Sequence, residues 1–352
     1  MPRTRLLHRA RAALAILPLV ALVAACGSGA GDSASAAGSD VEPTFVLKVT
    51  DPGNAGPLAV GKRDGTFDQA LAPLGAKIEW VQTAPAFSAN LKLFNSGELD
   101  VSGGAYSPVV GALSKDVAVR IIAVADPVEQ DQSGIIATPK SGITKVSDLV
   151  GKRIAVNSAA KGEYITLKAL QQAGIPFDQV ERVSLQPADA ASAFSTGQVD
   201  AWASFNDPYQ EAKARGGVEI ATEASIGSKD NTIVAFRTAV LDERPDVAAK
   251  YLETLQELTE SQRSNPEDYQ NVFEKAGPRA LSGDRLSRAV ELGRKATVPR
   301  YPTEADFADV QDVAGLFYAN SVISRAVTAE DLFYPLQEKL AEYQQTQPNS
   351  GK

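Results

Sequence analysis

The chain has 352 residues, 44% hydrophobic and 22% charged, an ordinary globular composition long enough for one or two domains with full cores. Lysine and arginine number 35 against 43 acids, a net charge of −8, and that acidity excludes nucleic acid as a partner, because phosphate binding needs a basic face. His8 is the only histidine and Cys26 the only cysteine. An intrachain disulfide is excluded, and so, once the N-terminus is lost, are His-based triads and zinc or haem held by histidine; no cofactor or metal is expected.

Arginines stand at positions 3, 5, 9 and 11, residues 12–25 are apolar and small, and Cys26 follows. This is the three-part pattern of a secretory signal, and its apolar run falls short of the ~20 residues of a membrane span. Val23-Ala24-Ala25-Cys26 resembles a bacterial lipobox, in which the cysteine is lipidated and becomes the new N-terminus; valine here replaces the commoner leucine. Cleavage before Cys26 removes four of the 35 basic residues and no acid, which takes the net charge to −12. Residues 1–25 are therefore expected to be a lipoprotein signal peptide. Residues 26–43 form a tether, since the Gly, Ser and Ala of 27–40 cannot bury apolar area. The folded part is expected outside the cytoplasm, anchored to the cell membrane by lipid.

Residues 44–126 read as the first part of a first lobe. A β-branched strand at 45–50 stops at Asp51-Pro52-Gly53-Asn54, and a helix starts at Pro57. A strand at 77–83 and a helix at 86–95 ending at Gly97 follow. Next come a short strand at 99–102, a Gly103-Gly104-Ala105-Tyr106-Ser107 stretch, a helix from Pro108 and a strand at 119–125. Residues 127–223 read as a second lobe. Its strands are at 135–137, 154–156 and 180–185, and its helices at 163–173, 188–196 and 207–215. Residues 224–352 return the chain to the first lobe through a strand at 232–236. Beyond Pro245 the pattern is helical, broken at Pro266, Gly277-Pro278, Pro299 and Pro302. Alternating strands and helices imply α/β architecture with mostly parallel, doubly wound sheets.

One segment occurs twice. Phe94-Asn95-Ser96-Gly97-Glu98-Leu99-Asp100-Val101 returns as Phe194-Ser195-Thr196-Gly197-Gln198-Val199-Asp200-Ala201, with Pro108 and Pro208 at matching distance. Each copy reads as a helix end, a glycine C-cap and a strand. A repeat of roughly 100 residues is domain-sized, which points to two similar lobes with a ligand cleft between them.

Residues 147–156 (Ser-Asp-Leu-Val-Gly-Lys-Arg-Ile-Ala-Val), Ala173-Gly174, residues 197–202 (Gly-Gln-Val-Asp-Ala-Trp) and Asp207-Pro208-Tyr209 together resemble the aliphatic-sulfonate, taurine and nitrate group of ABC-transporter substrate-binding proteins. Gly97-Glu98-Leu99-Asp100 fits the first-lobe counterpart. The resemblance covers residues 46–236 and implies a type II periplasmic-binding-protein fold, with two doubly wound lobes, a cleft and a helical C-terminal region. It also implies a small-molecule anion as ligand and an ABC permease with a cytoplasmic ATPase as partner. Two ligand loops depart from that family. Asn157-Ser158-Ala159-Ala160-Lys161-Gly162 stands where Gly-Ser is common, and Phe205-Asn206-Asp207-Pro208 where Trp-Asp-Pro is common.

Ligands of open α/β sheets sit beyond the C-terminal strand ends. That rule nominates Asp51, Asn54, Phe87, Ser88, Tyr106, Ser107, Asn157, Ser158, Trp202, Phe205 and Asp207. Helix-start amides and the hydroxyls of Ser88, Ser107 and Ser158 would hold an oxyanion, with Ser107 and Ser158 at matching places in the two lobes. Tyr106, Phe87 and Phe205 would wall the organic part, with Trp202 beneath the site. Asp51 or Asp207 would take an ammonium or cap a helix, and Lys161 and Arg237 lie either in the cleft or on the surface. The reading is a monomeric, non-enzymatic binding protein for a small anion, an aliphatic sulfonate or taurine above all. Alternatives are a binder of nitrate, a pyrimidine or an aromatic acid, a ligand-presenting sensor, or an enzyme like the pyrimidine synthases of thiamin biosynthesis. Those enzymes use a histidine and a cysteine-rich segment that the mature chain lacks.

Overall fold

The computed structural model describes residues 43–129 and 131–346; the expected signal peptide, the expected lipidation site Cys26 and residues 26–42 of the expected tether lie outside them. The chain begins with β1 (Phe45–Thr50), α1 (Pro57–Asp64), α2 (Thr66–Leu71), β2 (Ala76–Val81), α3 (Leu91–Ser96), β3 (Val101–Ala105), α4 (Tyr106–Leu113) and β4 (Val119–Ala125). It then builds a second sheet from β5 (Ser133–Ala137), β6 (Arg153–Val156), α5 (Lys161–Gln172), β7 (Glu181–Ser184), α6 (Pro187–Ser195), β8 (Ala201–Phe205), α7 (Asn206–Ala214) and β9 (Val218–Thr222). Strand β10 (Thr232–Arg237) rejoins the first sheet, and α8 (Thr238–Glu243), α9 (Pro245–Ser264), α10 (Gly283–Arg294), α11 (Glu304–Ala319), α12 (Ala329–Leu332) and α13 (Leu336–Thr346) follow.

The two sheets have one topology, β2-β1-β3-β10-β4 and β7-β6-β8-β5-β9. The fourth strand of each, β10 or β5, is antiparallel to both neighbours, and the first three run parallel. The repeated segment is the joint between helix and third strand in each lobe. Gly97 and Gly197 turn the chain at φ 70° and 73°, a left-handed conformation that glycine adopts without strain. Three residues on, Asp100 and Asp200 each bond the neighbouring parallel strand, β1 or β6, twice. The Asp100 amide donates to the Lys48 carbonyl at 2.8 Å and its carboxylate accepts the Lys48 amide at 3.0 Å. Asp200 does the same with Arg153, at 2.8 Å and 2.8 Å. In the first lobe Arg237, at the end of β10, also donates to the Asp100 carboxylate at 2.8 Å.

Helices cover both faces of each sheet. On the first, Leu47, Phe67, Phe236, Tyr251 and Leu252 pack one face against α1, α2 and α9. The opposite face carries α4 and α11. Helix α11 also reaches the second lobe, where the Tyr164 hydroxyl and the Lys168 ammonium donate to Asp312 at 3.1 Å and 2.7 Å. Where α4 passes the loop before α5, a Cβ at Gly111 would overlap the carbonyl oxygen of Ala159.

Three local expectations change. The helix foreseen at 86–95 splits into a 3-10 turn, Phe87–Asn90, and α3, because the buried Asn90 side chain bonds both the amide (3.0 Å) and the carbonyl (2.9 Å) of Ala84. Gly103 to Ala105 extend β3 through pairing with β10, and α4 begins at Tyr106. Ser107 and Ser158 are not counterparts. Ser107-Pro108 opens α4 after β3 and is matched by Asp207-Pro208, which opens α7 after β8.

Asp306, 1% exposed, caps α11. It accepts hydrogen bonds from Arg300 at 2.7 Å, the Thr303 amide and hydroxyl at 2.7 and 2.8 Å, and Tyr106 at 3.0 Å. Burial pushes its carboxyl up, but those donors outweigh burial and hold it at about 2.

Asp100→Ala is expected to lower stability by about 2–3 kcal/mol, the cost of leaving a half-buried amide and a guanidinium without their charged acceptor, read as a lower urea midpoint. Because Asp306 titrates below its unfolded value, its contribution is present above about pH 4 and lost as pH falls toward 2. Asp306→Asn should therefore cost roughly 2 kcal/mol at neutral pH, with a gap to the parent in urea unfolding that shrinks between pH 4 and pH 2.

Candidate ligand cleft

The C-terminal ends of β3, β6 and β8 open onto one cavity of about 510 Å³ between the lobes. Residues 85–88, 103–105 and Pro108 line it from the first lobe, and Gln132, Ser133, Asn157, Lys161, Phe205 and Asn206 from the second. The two crossing segments add Pro127, Val128 and Glu129 on one side and Glu223, Ser228, Asp230, Asn231 and Thr232 on the other. Helix α10 contributes Leu292, and ion pairs from Arg288 to Glu129 and from Arg285 to Asp207 (3.3 Å) tie it to the far side.

Of the nominated residues, Phe87, Ser88, Asn157 and Phe205 meet at this cavity. Phe87 lies against Gly104, and the Ser88 hydroxyl reaches across the lobes to the Gln186 side-chain oxygen at 3.4 Å. Asn157 is 5% exposed and accepts the Gly162 amide at 2.7 Å, so it caps the start of α5. Two non-glycine residues with left-handed backbone, Ala159 (φ 50°) and Asn206 (φ 57°), sit just before α5 and at the start of α7.

The other nominees lie elsewhere. Tyr106 is fully buried, its hydroxyl on Asp306, and burial next to that carboxylate pushes its pKa well up. Ser158 is exposed outside the cavity lining. Trp202 floors a separate groove of about 640 Å³ between α6 and α7. Asp207 is exposed beside Arg285. Asp51 accepts from Lys62 and from the Gly53 amide (3.1 Å); burial raises its carboxyl, but these donors outweigh it. The Asn54 side chain fastens the Phe273 and Glu274 amides at 2.9 and 2.8 Å. Arg237 belongs to Asp100, away from the cavity.

Ser107 is fully buried beneath the cleft and its donors are in use. Its amide and hydroxyl bond Asp230 at 2.8 and 2.6 Å. Lys161, whose side chain is 18% exposed, stands 2.7 Å from Glu223 and 3.8 Å from Asp230. Burial would lower the lysine's pKa, but the two carboxylates outweigh it and raise it. Burial also raises Asp230, against the pull of Lys161 and Ser107. The Lys161–Glu223–Asp230–Ser107 chain thus joins both lobes and the second crossing segment at the cleft base. Sequence reading had no local signal for Glu223 or Asp230, which lie in a polar connection without strand or helix pattern.

The chain matches the family described as NMT1/THI5 like over residues 60–269. A protein of Escherichia coli (strain K12), provisionally named as aliphatic sulfonates-binding, is 26% identical over 283 residues, covering 77% of this chain and 86% of its own. The taurine-binding periplasmic protein of the same organism is 24% identical over 305 residues, 85% of each chain. Among solved structures, the alkanesulfonate-binding protein SsuA from Xanthomonas axonopodis pv. citri bound to MOPS shares the fold, with a TM-score of 0.70 at 22% identity over 82% of this chain and 98% of that one.

Proposed function

Because the chain belongs to the NMT1/THI5-like family, we propose that it is the extracytoplasmic solute-binding component of an ABC importer. In this reading it captures a small organic anion, an aliphatic sulfonate or taurine, and hands it to a membrane permease. The observation that carries this reading is the cavity of about 510 Å³ between two lobes of equal topology, the setting in which small ligands bind. Relatives named for sulfonates and taurine support the ligand class. The protein itself performs no chemistry. Ligand favours the lobe arrangement that the permease recognises, and the partner ATPase supplies the energy. Among the described residues no helix is long and apolar enough to cross a membrane; attachment is through a lipid on Cys26.

Thermal unfolding of the protein with taurine, alkanesulfonates, nitrate, pyrimidines and aromatic acids tests the ligand class. A sulfonate should raise the midpoint and be recovered unchanged by mass spectrometry. A shift with a different class alone, or a converted ligand, overturns the reading. Cys26→Ser should release the protein from membranes and abolish labelling by radioactive palmitate, whereas a native protein that never takes up label would remove the lipid anchor.

A further inference from the structure

The charges around the cavity do not suit a bare anion. Among the described residues lining it, Lys161 is the only cation, facing the carboxylates of Glu129, Glu223 and Asp230. Glu129 is answered from α10 and the residue after it, by Arg288 and by Lys295 at 3.4 Å. That leaves one ammonium between Glu223 and Asp230. Asp230 is satisfied from the start of α4, where Ser107 gives it both donors, so the place where that helix would offer its amide to a ligand oxyanion is already filled by the protein's own carboxylate. Glu223 differs. It is 7% exposed; both hydrogen bonds to its carboxylate, from Lys161 and from the Ser228 hydroxyl, end on Oε1, and among the described residues Oε2 receives none. A plain sulfonate would take the group of Lys161, Glu223 and Asp230 from −1 to −2 in a largely desolvated pocket, where like charges repel strongly. A ligand that brings its own cation leaves the sum unchanged and gives Glu223 Oε2 a partner.

We propose that the cleft selects a zwitterion, an aminoalkanesulfonate in preference to the alkanesulfonate of the same length, and that Glu223 is the specificity-determining acceptor for the ligand's ammonium. This rests on the sulfonate reading above and narrows it.

Isothermal titration of the whole protein with two matched pairs tests it: taurine against ethanesulfonate, and 3-aminopropanesulfonate against propanesulfonate. Each amino compound should bind at least tenfold more tightly than its partner. In Glu223→Gln the preference should shrink to less than threefold, with the plain sulfonates bound as well as or better than before. A pocket merely damaged by the substitution would lose both members of a pair alike, which counts against the role of Glu223. Plain sulfonates that match the amino compounds in the parent protein overturn the zwitterion inference and leave the sulfonate reading standing. Should neither member of either pair bind, both fall. The parent comparison decides the ligand class even if Glu223→Gln does not fold.

Discussion

In each lobe one aspartate exchanges two hydrogen bonds with a single residue of the parallel strand beside it, Asp100 with Lys48 of β1 and Asp200 with Arg153 of β6. The backbone half of this exchange is an ordinary strand contact, whereas the carboxylate half fixes where β3 or β8 begins relative to β1 or β6. A slip by one residue would turn every side chain of the strand to the wrong face. From that fixed start, β3 and β8 run five residues each to the cleft and deliver the starts of α4 and α7 there. The positions of Phe205 and Asn206, and of the Ser107 amide, are consequences of a carboxylate at the other end of the sheet.

Lobes built this way are held together by polar contacts as much as by apolar ones. Apolar packing does cross between them, since Tyr164 and Leu167 of α5 share a core with α4 and α11. The cleft base is different in kind. Lys161, Glu223, Asp230 and Ser107 are buried or nearly so, each with a partner, and they come from two helices and a connection. Buried ionic groups of this sort contribute little net stability and a great deal of geometric definition when every member is satisfied. Any ligand that enters must fit an existing charge pattern, because rearranging it would leave a buried charge alone.

Much of the fold was legible because its signals are local. Runs of β-branched residues, the glycine caps at Gly97 and Gly197 and the prolines before the C-terminal helices act within a few positions, and the repeat announced two lobes. The strand and helix limits that moved did so for tertiary reasons: β10 pairs with Gly103–Ala105 from far along the chain, and Asn90 bends its own helix start. The site was legible in part. Phe87, Ser88, Asn157 and Phe205 follow from the rule of strand ends. Ser107 obeys the same rule and still offers nothing to a ligand, because its partner Asp230 is 123 residues away. Glu223 and Asp230 sit in a stretch of polar residues that reads as a linker, and only the folded chain shows that the linker passes through the cleft.

At Gly111 the backbone of α4 meets the Ala159 carbonyl with no side chain between them. Ala159 itself holds a left-handed turn to present that oxygen. The resting separation of the lobes at this point is therefore set by the radius of a hydrogen atom, and one methyl group would act as a wedge. At this one point main chain bears on main chain, beside the apolar side chains of α5 that cross to α4 and α11.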